Sequence, residues 1–569
     1  MPHLALPALA AYLRARGVEV ILRDLNLEVF EQVLTRDYLE QSIARLREEA
    51  GARTLRPIPP DALQWTLAEG PRLAAQIEEA VGLMRSSGFL YGPVGREAFL
   101  VVDQALELAS LPFHPASLQL TRYLPPVSVE SSRSLLQAVR DPQANMFLPL
   151  FQAGVLADLE RERPDIVGIS IPTRDQMLAG LTLAHLIRQA GLPCHVTAGG
   201  PHITMLREEL PRVPELFTLF DSAVVFEGER PLARLAEALA GDGDLSGVPN
   251  LIYHDGTQIR VNAPEEPEPI GSLPPPDLAG LPIGRYLAPE PVLPLRTSRG
   301  CYHSRCAFCN VGYGRPAPYQ QLEAGWVVEQ MLAVRERYGA RHIFFADEAL
   351  SPHTLREMSR LLEELGSPFH WCGCARFEKA LSQELLAGMV RGGCRMLLFG
   401  LETASEPIMR RLTKGTTRAV MSRILRQGAE AGLWNHVFFF FGFPGETMEN
   451  AQETVDFVYA HQAYIHSASP GTFYLERYAP VERHPEQYGI RRIVQRPGQD
   501  LATGFDYEVT SGIDGRLAEL VVSRLADVFP EKRFGQYYAN DAYRLFYAGH
   551  LWEQGQPFPP WLVPEDGTA

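Results

Sequence analysis

Three cysteines, Cys301, Cys306 and Cys309, fall within nine residues of a chain of 569 that holds seven cysteines in all. Seven cysteines in so long a chain do not make a disulfide framework, and a tight trio of thiols points to metal. Three thiolates at this spacing can hold three irons of a cubane [4Fe–4S] cluster, leaving the fourth iron open to bind a small molecule. The alternative is a zinc site, which normally wants four closed ligands, with His303 as the fourth. Cys372 and Cys374 alternate along one expected strand, and with Cys394 they read as small core residues rather than a second cluster.

The trio follows directly on an apolar run at 293–297, which reads as the first of six strands. The others are expected at 342–346, 370–374, 396–401, 436–441 and 472–475, with helices between them such as 324–338 and 417–431. Alternating units of this kind suit a partial (β/α) barrel, whose chemistry gathers at the carboxyl ends of its strands. Upstream, a second alternation has strands at 18–22, 165–171, 195–198 and 222–226, then a hairpin around Asp255-Gly256, and reads as a parallel, doubly wound sheet. A helix with Leu6, Leu9 and Leu13 on one face and Gly17 at its end precedes it. The stretch 30–155 reads as a largely helical insertion, with helices at 73–84 and 93–108 and proline-rich breaks at 57–60 and 124–126. Prolines crowd 263–282 and mark a linker. The expected domains are therefore 1–262, a linker at 263–290, a barrel at 291–480 and a helical cap at 481–569, rich in aromatics that include Phe534, Tyr537, Tyr538, Tyr543, Phe546 and Tyr547.

Composition narrows the function. The formal charge is −15, with 68 acidic against 53 basic residues, a field that repels phosphate backbones and argues against a nucleic-acid partner. No apolar run approaches the roughly 20 residues that span a bilayer, and the N-terminus lacks the pattern of a secretory signal. The reading is a cytoplasmic multidomain enzyme with no membrane partner.

The stretch from Leu293 to Pro480 resembles the radical S-adenosylmethionine (SAM) superfamily. Beyond the cysteines, Phe308 matches the aromatic that precedes the last of them. Asp347-Glu348 after the second strand, Arg376 after the third and Glu402 after the fourth stand where that family contacts SAM. Phe399-Gly400-Leu401-Glu402-Thr403-Ala404-Ser405, with Lys414-Gly415 following, is similar to its fourth-strand motif. Phe441-Gly442-Phe443-Pro444-Gly445-Glu446-Thr447 is similar to its fifth-strand motif, which adds Gly442 and Pro444 to the SAM contacts. The spacing here is Cys-x4-Cys-x2-Cys where the family usually has Cys-x3-Cys-x2-Cys, a longer loop shared by some cobalamin-dependent members. The resemblance implies that the open iron chelates SAM, and that an electron donor such as flavodoxin or ferredoxin drives its cleavage to a 5′-deoxyadenosyl radical.

The upstream sheet is similar to the flavodoxin-like (Rossmann-like) cobalamin-binding domain. Ser170-Ile171-Pro172 is followed after 26 residues by Gly199-Gly200, a spacing of that family, and Pro201-His202 and Glu227-Gly228-Glu229 resemble motifs of its radical SAM branch. A strand-end serine can bond a buried nucleotide tail, and paired glycines let backbone approach it closely. Asn26 stands where a cobalt-ligating histidine would be, so cobalamin binding without a protein histidine is implied. The first strand of a 2-1-3-4-5 sheet is missing, because Met1 falls directly before the first helix. The expectation is that the start lies upstream or that another segment fills the gap.

The fold class expected is thus α/β, a cobalamin-binding domain followed by a partial (β/α)6 TIM-type radical SAM barrel and a small helical C-terminal domain. By resemblance the function is C-methylation of an unactivated carbon of a natural product or peptide, through the adenosyl radical and methylcobalamin. The cap and the 30–155 insertion are the expected substrate walls. A cobalamin-dependent cyclase or ring-rearranging enzyme is the alternative, and a non-catalytic cobalamin or redox sensor a second.

Overall fold

Two parallel sheets turn their carboxyl ends toward each other in the computed structural model, which describes residues 1–49, 58–90, 92–315, 318–528 and 540–559. The first sheet has five strands in sequential order: β1 (Ile166–Ser170), β2 (His195–Gly199), β3 (Ser222–Val224), β4 (Leu251–His254) and β5 (Ile259–Val261). The first three are parallel and the last two form the expected hairpin, joined antiparallel to β3. The helix Met177–Gln189 packs its apolar side, including Leu178, Leu181 and Ile187, into the same core as Val196 and Ala198.

The residues 18–22 do not form the expected strand. Gly17, with φ +80°, ends the helix Ala5–Arg14, and the chain then runs extended without a sheet partner. Leu22 packs with Ile270, Leu278 and Leu281 of the linker against the barrel core, so its burial comes from the second domain and not from the first sheet. No segment fills the central gap among the described residues. β1 is an outer strand, with Ile166 and Val167 half-buried and Gly168 exposed.

The second sheet holds six parallel strands in sequential order: β6 (Val292–Leu295), β7 (His342–Phe345), β8 (His370–Ala375), β9 (Cys394–Glu402), β10 (Trp434–Phe441) and β11 (Ser467–Thr472). The helices between them carry the caps their sequences encode: Ser351, Ser382 and Thr417 each accept a bond from a first-turn N–H. Phe345, Trp371, Phe399 and Phe441 are fully buried, each contributing about 1.5–3 kcal/mol by leaving water. The last strand lies at 467–472, not at 472–475. Its Pro470-Gly471 disguises it, and the position is tolerated because β11 is an edge. Leu475–Glu476 pairs instead with Gly504–Val509.

The C-terminal region is therefore not wholly helical. Leu475–Glu476, Gly504–Val509 and Ile490–Val494 form a small antiparallel sheet, followed by the helices Gly515–Val528 and Asp541–Glu553. The last helix closes the amino ends of the barrel strands: Phe546 packs tilted against His342 at 4.6 Å and Tyr547 meets Trp434 at 5.9 Å. Tyr543, Phe546 and Tyr547 thus line no mouth, and Phe534, Tyr537 and Tyr538 lie outside the described residues. In the insertion, the helices Pro60–Met84 and Gly92–Ser110 extend beyond the expected spans, the first beginning on Pro60. Among the described residues no helix is long and apolar enough to cross a membrane.

Candidate active site

The cysteine loop leaves the carboxyl end of β6 and is held from both sides. Ala307 N–H donates to the Leu412 carbonyl at 2.9 Å, Ala307 carbonyl accepts from Val481 N–H at 3.0 Å, and His303 Nε2 bonds the Thr413 carbonyl at 2.8 Å. The three thiols are free and half-buried. Burial pushes Cys309 up to about 12 and also raises Cys306, the latter opposed by the nearby Lys414 and Arg376 cations. A bound metal centre would reverse that shift, since metals hold thiolates. No three His, Cys, Asp or Glu side chains converge as ligands of one metal ion among the described residues. The donor set, three thiols spread along one loop, fits a cubane that distributes its ligands over three irons better than it fits zinc.

A cationic network stands behind the loop. Arg376 Nη1 lies 3.8 Å from Cys306 Sγ, its Nη2 donates to the Lys414 carbonyl at 2.5 Å, and its Nε pairs with Glu378 at 3.0 Å. Lys414 Nζ pairs with Glu402 Oε1 at 2.7 Å, with both side chains buried. Glu402 sits at a bulge in β9 with φ +59°. A Cβ at Gly400 would lie 2.3 Å from Glu402 Oε1 and 2.6 Å from Lys414 Nζ, so a side chain there would push the ends of that ion pair aside. Phe308 is half-buried against Phe440, 5.3 Å between centroids.

Not every expected SAM residue faces the mouth. Asp347 is buried and accepts from Thr297 N–H at 2.9 Å, Thr297 Oγ1 at 2.8 Å and Ser298 Oγ at 2.6 Å. It ties the end of β6 to the end of β7 and acts as a structural lock rather than a free ligand. Glu348 beside it is open to solvent, its carboxyl raised by burial of its surroundings and by Asp347. Gly442, with φ +91°, donates to Glu446 Oε2 at 2.5 Å and accepts from the Tyr507 hydroxyl at 2.9 Å. Pro444 is buried. Glu446 and Lys414 stand inside the motifs as read, yet no role attaches to them by sequence. Their burial at 1% and 5% exposure is the missing signal.

At the first sheet, Ser170 ends β1 and Gly199-Gly200 ends β2, side by side in register. Gly200 has φ +105°, and a Cβ on it would lie 2.9 Å from the Ile171 carbonyl oxygen. Pro201 opens the short helix Pro201–Met205. His202 is buried and pushed down to about 4, so it is neutral. Thr204, which sequence reasoning passed over, accepts from Phe226 N–H at 2.8 Å and so sets the approach to Glu227-Gly228. Gly228 packs against Leu9, where a Cβ would lie 3.1 Å from the leucine. Asn26 is not at a strand end. It lies in the first turn of the helix Leu25–Val33, capped by Asp24, yet its Oδ1 accepts from Gln176 at 3.2 Å and so reaches the loop after β1.

The two ends meet. Arg299, two residues before Cys301, pairs with buried Glu229 at 2.7 Å. Arg207 donates to the Tyr313 carbonyl at 2.8 Å, Asn310 reaches Met205 Sδ at 3.1 Å, and Arg477 pairs with Glu209 at 2.7 Å. Each contact joins a loop after β2 or β3 to the cysteine loop or to the segment after β11.

A parallel sheet carrying three thiols beyond its first strand sits in the stretch, residues 295–458, that matches the radical SAM superfamily. About 72% of the chain shares its fold with two solved enzymes. The cobalamin-dependent SAM radical enzyme OxsB, solved with aqua-cobalamin and SAM, superposes with a TM-score of 0.54 at 17% identity over 72% of this chain and 70% of its own. The radical SAM methyltransferase TsrM from Kitasatospora setae, solved with cobalamin and a [4Fe–4S] cluster, gives 0.55 at 17% identity over 72% and 92%. An uncharacterised methyltransferase of Pyrococcus horikoshii is 29% identical over 299 residues, 52% of this chain and 64% of that protein. The match spans less than two thirds of that relative.

Proposed function

We propose that the protein is a cobalamin-dependent radical SAM C-methyltransferase acting on an unactivated carbon of a small natural product or peptide. The observation that carries this reading is the opposition of two strand-end loops, one bearing three thiols and the other a glycine-shaped cradle, locked together by Arg299–Glu229 and Arg477–Glu209. Cys301, Cys306 and Cys309 would hold the cluster. Glu348, Arg376, Glu402, Gly442 and Pro444 border the place for SAM. Asn26, Ser170, Gly199, Gly200, Pro201, His202, Glu227 and Gly228 border that for cobalamin. When bound, these groups supply an adenosyl radical and a transferable methyl group. The chain's own task is to hold the target carbon between the two sites and keep water out. The methyltransferase names and cobalamin-bound structures among its relatives support the reading.

The test is product stoichiometry in anaerobic assays of reconstituted protein with candidate substrates. Methyl transfer requires one S-adenosylhomocysteine and one 5′-deoxyadenosine per methylated product. 5′-Deoxyadenosine with no S-adenosylhomocysteine would instead favour a cyclase, and neither product, with both cofactors in place, a sensor.

A further inference from the structure

The cysteine loop is covered on the side that faces the first sheet and bare on the other. Ser304 and Arg305, between Cys301 and Cys306, are exposed. Around them pack two further segments. One is 376–379, through Arg376 beside Cys306. The other is 405–418, through His303 on Thr413 and Ala307 on Leu412. The exposed ionisable side chains on these three segments are Arg305, Lys379, Arg410, Arg411 and Arg418, all cations. The two carboxylates are half-buried and engaged: Glu378 by Arg376 at 3.0 Å, and Glu406 Oε1 by the Arg418 N–H at 3.2 Å. A basic rim in a chain of net charge −15 is a local reversal of sign, and it surrounds Ser304 and Arg305, the most exposed residues of the described thiol loop.

We infer that this rim is the docking face for an acidic one-electron carrier protein. The inference rests on the cluster reading above, because only a redox centre at the three thiols needs an electron delivered there. Each encounter passes one electron. The carrier is oxidised by one, the centre held by Cys301, Cys306 and Cys309 is reduced by one, and no bond forms or breaks. Complementary rim charges steer such encounters and act on the association rate, which then falls with salt. The opposite side of the loop is closed to a protein by Arg207–Tyr313 and Asn310–Met205.

The experiment uses the reconstituted full chain and follows cluster bleaching in stopped flow, with dithionite or a flavodoxin hydroquinone as reductant. In the variant R305E/K379E/R410E/R418E the flavodoxin rate should fall at least tenfold at low salt and lose its salt dependence, while the dithionite rate and iron content stay unchanged. Four equal reversals at exposed arginines elsewhere, R122E/R133E/R140E/R356E, should leave the flavodoxin rate within about twofold. A flavodoxin rate that is unchanged in the first variant, or lowered equally in both, overturns the docking face. Wild-type protein that takes up no iron overturns the cluster reading and this inference with it.

Discussion

On the function proposed above, the two sheets hold their cofactors by different means. At the second sheet the site is built of side chains: three thiols, Arg376 against Cys306, and Lys414 against Glu402 inside the fold. At the first sheet it is built of backbone, with Gly199-Gly200 and Ser170 at the ends of neighbouring strands and β1 exposed along its outer edge. Side-chain sites fail by losing a chemical group, backbone sites by gaining a Cβ. The sharpest way to separate them is Cys306→Ala. It should abolish 5′-deoxyadenosine formation and strip the iron while leaving cobalamin content intact. Loss of both cofactors together would mean that the sheets do not hold their sites independently.

Next in size is Lys414→Met. Removing the ammonium leaves the Glu402 carboxylate buried without its partner, which costs about 3–5 kcal/mol when a buried pair is broken from one side. Thermal unfolding should shift down accordingly, and Lys414→Met/Glu402→Gln should recover part of the loss. A shift in the single variant no larger than that of a surface substitution would show that the pair is solvated, not locked.

This contrast also explains what could be read from the residues alone. The barrel was legible because its strands are near-continuous apolar runs and its motifs follow each one at the carboxyl end. Asp347 reads from the residues as a SAM contact, and sequence does not show that Thr297 and Ser298 turn back to bond it. The last strand was misplaced because Pro470 and Gly471 look like a turn, a disguise available only to an edge. The first sheet was harder. The apolar run 18–22 has the pattern of a strand, but Leu22 is buried by the linker and barrel core instead. The helix Asp541–Glu553 reads as helical and aromatic in any context. Only the fold shows that it stoppers the amino ends of the barrel strands, far from the thiols.

Glu446 offers a smaller and pH-dependent test of the second sheet. It is 1% exposed, and burial raises its carboxyl to about 7, against an ordinary 4.5 and despite the Gly442 N–H it accepts. A folded-state value above the unfolded one means that the fold prefers the protonated acid. Its contribution is full below about pH 4.5 and is lost as pH rises through about 7, on the order of 3 kcal/mol across that window. Glu446→Gln cannot ionise. Urea midpoints at pH 5 and pH 8 should therefore differ less in the variant than in the wild type, with the gain at pH 8. An equal difference in both proteins would place the slope on other groups.

The smallest expected effect on stability is the most telling for the first sheet. Gly200 combines φ +105° and ψ 173°, a region open essentially to glycine, and Gly200→Ala should cost about 1–3 kcal/mol for occupying it. The added Cβ also meets the Ile171 backbone at 2.9–3.0 Å, where no side chain can swing aside, so the ends of β1 and β2 must part. Cobalamin content should then fall at least tenfold with iron retained, the mirror image of Cys306→Ala. If Gly200→Ala keeps its cobalamin, the paired glycines serve only to turn the chain into the helix Pro201–Met205. The cradle would then have to be sought at Thr204 and Glu227-Gly228, on the neighbouring strand end.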